Sequence, residues 1–183
     1  MLEHTLLPEY TKKIWQVKFK AVAEEFVKFD EDLRTHNVST LSETRGEMQV
    51  KILDQYIKIT AIADRIEIDD KGYATILDYK TGALPTKKDT LNGLSPQLIV
   101  EAIILANNGF NIKTNKIKKL VYVKIASSEP YILKVEIEID AKELDKQLQG
   151  LVSLLEYYVD CKTFSMEVDL SKYNDYTHLA RKM

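Results

Sequence analysis

Cysteine occurs once in the 183 residues, at Cys161, and histidine only at His4, His36 and His178. One cysteine cannot build a disulfide framework, and three scattered imidazoles leave a Cys/His zinc site without ligands. Long apolar runs are missing as well. LIVEAIILA (98–106) is too short to span a bilayer and carries a glutamate, and the opening MLEHTLLPEYTKK lacks the apolar centre of a signal peptide. A soluble protein of a reducing, cytoplasmic compartment is expected, with no membrane partner. Nor is there an excess of one charge: 26 Lys and Arg stand against 28 Asp and Glu, a formal net charge of -2. A polyanion would therefore have to be held by local patches or by a metal ion. No GxxxxGK[ST] phosphate loop and no GxSxG elbow occurs, so neither a P-loop NTPase nor a hydrolase-type serine nucleophile is signalled.

What is present is enough apolar material, 45% of the residues, to bury one sizeable core. A single domain over residues 1–183 is expected, with an N-terminal helix and a C-terminal helical extension. From Thr11 to about His36, Trp15, Phe19, Val22, Phe26, Phe29 and Leu33 recur at three- and four-residue spacing, which predicts a long helix with one buried face. QYIKITAIADRIEI (55–68) then alternates apolar and polar residues and ends in the turn cluster DDKG. With YATILDYKT (73–81) it predicts an antiparallel hairpin, led by a further strand in LSETRGEMQVKIL. A loop, TGALPTKKDTLNG, precedes a helix with Ser95 as its cap and Pro96 in its first position. That helix, PQLIVEAIILANNG, is apolar nearly all round and so must be buried. Two more strand-like runs, KLVYVKIA and YILKVEIEID, lead to a helix with Leu144, Leu148, Leu151 and Leu155 on one face. The order αβββαββα describes a mixed α/β sheet with helices on both faces.

One stretch poses a chemical question. In ILDYKTG (76–82) alternation sends Asp78 and Lys80 to one side of the strand and Tyr79 to the other. If Ile68 faces Ala74 across the turn, Asp64 faces Asp78, and two carboxylates and a lysine share one patch. Adjacent buried carboxylates repel unless a cation intervenes, and an all-oxygen donor set suits Mg²⁺ or Mn²⁺. In the buried helix Gln97 and Glu101, four apart, lie on one face and are expected to support that patch. Each residue has a plainer reading: Asp78 with Lys80 is equally an ion pair at a strand end, and Asp64 with Arg65 an ordinary strand pair. Convergence on one place is what favours a site.

ADRIE (63–67), then ILDYKTG, then the Gln-led helix PQLIVEAIIL resembles the nuclease domain of the PD-(D/E)XK superfamily in its RecB-like branch. The chain is most similar to the C-terminal nuclease domain of AddB in alphaproteobacterial AddAB-type helicase-nucleases, with GLSPQL (93–98) and the tail YNDYTHLAR (173–181) contributing. The resemblance implies a restriction-endonuclease-like fold, a mixed β-sheet flanked by helices with core αβββαβ, and a metal-dependent deoxyribonuclease, an exonuclease of double-strand-break repair and recombination. It implies Asp64, Asp78 and the Tyr79 backbone carbonyl as ligands of Mg²⁺ or Mn²⁺, Lys80 as catalytic lysine and Gln97 as its support. Glu101 would assist, and an additional acidic ligand would come from Glu24, Glu25, Glu31 or Glu43. Arg65, Thr81, Lys87 and Lys88 are candidate DNA contacts, as is the run KTNKIKK (113–119). An AddA-like helicase-nuclease subunit is the implied partner. Some relatives carry a four-cysteine iron-sulfur cluster, which one cysteine cannot build, so none is expected. Since AddB subunits are several times longer, the chain is expected to be an excised domain, a split-gene product or a stand-alone relative. The alternatives are a catalytically idle remnant that binds DNA or a helicase, and a RecB-like nuclease of other biology.

Overall fold

A computed structural model describes residues 8–160 of the chain; Cys161 and the YNDYTHLAR tail lie outside the described residues. In chain order the elements are α1 (Glu9–His36), β1 (Asn37–Ile52), β2 (Gln55–Asp69), β3 (Tyr73–Lys80), α2 (Lys87–Leu91), α3 (Gln97–Ala106), β4 (Lys116–Ile125), β5 (Ile132–Ile137) and α4 (Ala141–Asp160). The five strands form one sheet in the order β1-β2-β3-β4-β5. Neighbours pair antiparallel except β3 and β4, which are parallel and joined through α2 and α3. This is the expected α/β architecture of restriction-endonuclease-like type, a mixed sheet flanked by helices.

The side chains of β3 and β4 divide by parity. Ala74, Ile76, Leu120 and Tyr122 join the main core with α3, while Leu77, Val121 and Val123 pack on the other side with Phe29, Phe26 and Leu33 of α1. Helix α3 is buried as its composition demands: Leu98, Ile99, Ala102, Ile103, Ile104 and Leu105 are all within 4% exposure. Leu144, Leu148 and Leu151 of α4 close over this core. Gly46 of β1 makes close packing possible at its edge, since a Cβ there would come within 2.6 Å of the Phe110 ring.

Two expectations need correction. The apolar stripe of α1 is not buried throughout: Phe29 is core, but Trp15 is 56% and Phe19 72% exposed. The reason is length. A helix of 28 residues runs about 42 Å, whereas the eight residues of β3, on whose Leu77 it packs, span about 26 Å, so the N-terminal half of α1 lies past the end of β3, where Trp15 and Phe19 are left uncovered among the described residues. The second concerns the loop before α3, which contains the short helix α2. Thr86 accepts from the Asp89 N–H at 3.1 Å and Asp89 Oδ2 accepts from the Thr86 N–H at 3.1 Å, a reciprocal cap. Helix α3 itself begins at Gln97 with Pro96 in the capping position, one residue later than the sequence suggests.

Candidate active site at the end of β3

The β2–β3 hairpin adopts the anticipated register: Ile68 faces Ala74, and the pairing continues to Arg65 opposite Leu77. The next step would set Asp64 against Asp78. There the backbone ladder stops, and the Asp64 carboxylate accepts from the Tyr79 N–H at 2.9 Å. Alternation along β2 also slips at this point. Ile59, Ala61 and Ala63 are odd-numbered and Ile66 and Ile68 even-numbered, yet all face the α3 core. Facing the slip on β1 is Glu43, between the pairs Ser42–Arg65 and Thr44–Ala63, with a left-handed φ of 50°. Counted from Ile66 and Ile68, Asp64 lies on the α3 side, where its charge acts on Asp78 and Glu101.

Asp78 is 1% exposed. Its Oδ1 accepts from Lys80 Nζ at 3.0 Å, and Oδ2 lies 2.8 Å from the same ammonium but out of hydrogen-bond alignment, so it is left without a bonded partner. Lys80 also donates to Gln97 Oε1 at 2.7 Å and rides over the Tyr122 ring, 5.8 Å from its centroid. Tyr122 stands beside Asp78 in the parallel β3–β4 pairing, and its hydroxyl donates to the Ser95 carbonyl at 3.1 Å. It thus ties the floor of the site to the start of α3. Nothing local in the sequence announces Tyr122, because only the parallel crossover brings β4 alongside β3.

One turn beyond Gln97, Glu101 is 1% exposed and neither of its carboxylate oxygens has a hydrogen-bond partner. Burial pushes its carboxyl up to about 8; the charges of Asp78 and Asp64 add to the shift, and Gln97 and Lys80 oppose it. Burial raises Asp78 as well, with Asp64 contributing and Lys80 working against it. Three carboxyl groups on two strands and a helix therefore share one electrostatic site with Lys80.

The opposite face of the same strands holds a second charge cluster. Arg65, 8% exposed at its side chain, donates to Glu67 and to Asp30 of α1, and bonds the Tyr79 hydroxyl at 3.3 Å. Thr40 Oγ1 donates to the other Glu67 oxygen at 2.8 Å. Burial works against the guanidinium charge, but the bonds to Asp30, Tyr79 and Glu67 outweigh it and raise the Arg65 pKa. Arg65, expected as a DNA contact, is thus committed inside the fold to Asp30 and Glu67.

The remaining candidates divide by position. Thr81, Lys87 and Lys88 are exposed on the loop and helix that follow the site. The KTNKIKK run lies at the other end: Lys116 faces Tyr73, seven residues of strand, or about 23 Å, from Lys80. Lys118 and Lys119 there pair with Asp69 and Glu136. Glu24, Glu25 and Glu31 sit on α1, which packs on the face away from α3, and Glu24 lies 3.9 Å from Lys20. Glu43 is the acid that the sheet register sets beside Asp64. A cleft of about 490 Å³ at the β2–β3 turn, lined by His36, Asp69 and Lys118 among others, holds no comparable set, since Asp69 is bonded to Tyr73, Lys71 and Lys118.

The family model of the PD-(D/E)XK nuclease superfamily matches residues 2–167. The chain belongs to that superfamily. Uncharacterized proteins of Rickettsia felis and Rickettsia bellii are 44% and 46% identical over 99% and 98% of this chain, which covers 25% and 23% of their lengths. The chain thus spans about a quarter of these relatives. Among solved structures, "Crystal structure of SSO0001" aligns over 84% of this chain and 77% of its own at 19% identity, with a TM-score of 0.35.

Superfamily nucleases typically use a divalent metal, and the residues here can be tested against one. Among the described residues no three His, Cys, Asp or Glu side chains gather closely enough to hold an ion unaided. Mg²⁺ does not require that, being bound by one or two carboxylates completed by water and substrate oxygens. Asp78 Oδ2, unbonded and buried, and Asp64 beside it supply hard oxygen donors of this kind, so the donor set fits. No helix among the described residues is long and apolar enough to cross a membrane.

Proposed function

We propose that this domain is a Mg²⁺- or Mn²⁺-dependent deoxyribonuclease that hydrolyses phosphodiester bonds, acting as an exonuclease on DNA ends in double-strand-break repair. The observation that carries this reading is the buried, unbonded Asp78 Oδ2 beside Asp64 and Lys80 in a superfamily of nucleases. Asp64, Asp78 and the Tyr79 backbone carbonyl would hold the ion, which when bound supplies positive charge against the phosphate and acidifies water. Hydrolysis adds water across the ester: the water oxygen bonds phosphorus, and the phosphorus–oxygen bond to the leaving nucleoside breaks as that oxygen takes a proton. Lys80 is held by Asp78 and Gln97 so that its third N–H is free to orient the water or a non-bridging phosphate oxygen, where negative charge develops. Gln97 positions the ammonium, and Glu101, which holds its proton up to about pH 8, stands one turn behind it beside Asp78. Thr81, Lys87 and Lys88 line the approach to the lip. The length of the relatives and the likeness of the GLSPQL segment to AddB support a setting inside a longer subunit that works with an AddA-like helicase-nuclease.

The test is cleavage of end-labelled single- and double-stranded DNA with Mg²⁺, with Mn²⁺ and with EDTA. Cleavage is expected with either metal, to vanish in EDTA, and to drop by about 10²–10³-fold in Lys80→Ala. A chain that leaves DNA intact with metal, or a Lys80→Ala variant as active as its parent, overturns the reading.

A further inference from the structure

The exposed half of α1 is the largest feature that the hydrolytic site does not use. Its direction can be read from its partners. His36 borders the β2–β3 turn, Asp30 reaches Arg65 opposite Leu77, and the Phe26 ring lies 6.2 Å from that of Tyr79, next to the end of β3. Each turn toward the N-terminus therefore moves toward Lys80. The 17 residues from Phe26 back to Glu9 extend the helix about 25 Å further, past the end of β3 that carries Asp78 and Lys80 and in the direction in which β1 and β2 also continue.

This overhang has a definite chemistry. Trp15 and Phe19 stand 11 and seven residues before Phe26, and Lys18 stands 11 before Phe29, so two rings and an ammonium share the face that packs on the sheet further along. Among the described residues that face is open here: Trp15 is 56% and Phe19 72% exposed, and Lys18 is exposed as well. From Tyr10 to Ala23 there are four lysines and no acidic residue, in a chain whose net charge is -2. A buried protein–protein contact is depleted in lysine, whereas rings interleaved with lysines suit a strand of unpaired bases, each base offering a face to stack and a phosphate to neutralise.

Taking the nuclease reading above as premise, we propose that the overhanging half of α1 is a platform for single-stranded DNA on its way to the Asp78–Lys80 lip. Bases stack on Trp15 and Phe19, and a phosphate meets Lys18. Single strands are favoured over duplex because a base closed in a helix has no free face to offer the rings.

Trp15 is the sole tryptophan, so its emission reports on the platform directly. In EDTA, where nothing is cut, oligo(dT) is expected to quench it saturably. By anisotropy of a labelled oligonucleotide, Trp15→Ala/Phe19→Ala is expected to weaken binding about tenfold or more. Lys18→Gln is expected to lower the slope of log affinity against log salt by about 0.7, the value of one phosphate contact, whereas Lys13→Gln on the opposite side of the helix is expected to leave it unchanged. Circular dichroism matching the parent shows that the variants fold. Affinity within twofold of the parent in the aromatic variant overturns the platform, and if metal-dependent cleavage persists the nuclease reading stands without it. Emission that follows protein concentration in sedimentation, and not oligonucleotide, also overturns it, marking the face as a contact between copies. Quenching by oligonucleotide with no cleavage in any metal upholds the platform and removes the nuclease premise.

Discussion

Replacing Glu101 with glutamine offers a measurement of how strained the site is without metal. The Glu101 carboxyl is raised from 4.5 to about 8 by burial and by Asp78 and Asp64. The folded chain therefore holds a proton that the unfolded chain releases, and stability falls as pH rises from about 4.5 to about 8, levelling off above. Between pH 5 and pH 7.5, at about 1.36 kcal/mol per unit, the parent loses about 3 kcal/mol through this one group. Glutamine does not titrate. The advantage of Glu101→Gln over the parent should thus grow by about 3 kcal/mol across that interval, whatever the fixed cost of burying an amide. For a domain of this size that is a relative gain of about 6–12 °C in melting temperature. Urea denaturation in EDTA of both proteins at both pH values gives the number, and the titrations of groups away from this site cancel in the difference. An offset that is the same at both pH values would refute the reasoning and show that Glu101 finds a partner in solution.

Removing the centre of the buried ion cluster with Arg65→Met should leave Glu67 and Asp30 uncompensated and destabilise the fold by about 3–5 kcal/mol in the same denaturation experiment. Asp30 should shape the acid limb of stability. Burial acts against its ionised form, but the bonds from Arg65 and Arg34 hold its carboxyl below the usual range. Its contribution is full above the unfolded value and is lost as pH falls through the lower folded one, so Asp30→Asn should flatten the acid side of a stability–pH curve. Gly46→Ala must displace the Phe110 ring, and a loss of about 1–3 kcal/mol is expected, read as a fall in the denaturation midpoint.

Much of this protein is decided locally. The alternation of Arg65 to Ile68 and the DDKG turn determine the β2–β3 hairpin and its register, because a one-residue slip there would turn Ile66 and Ile68 out of the core. The i, i+4 spacing of Gln97 and Glu101 in a helix otherwise apolar determines that both look to one place. These local rules, together with the motif residues they carry, are why Asp64, Asp78, Lys80 and Gln97 could be gathered from the sequence.

Tertiary structure decided what lies beyond one hairpin or one helix. Periodicity reports that a face is apolar, not that something covers it, so Trp15 and Phe19 read as core until the length of α1 is set against that of β3, on which it packs. Arg65 reads as a surface cation until Asp30, 35 residues away, and Glu67 enclose it. Tyr122 joins Lys80 only through the parallel pairing of β3 with β4, and the KTNKIKK lysines are carried to the opposite end by that same pairing. In each case the deciding contact is made by residues distant in the chain, whose meeting depends on which elements pack together and how far each one reaches.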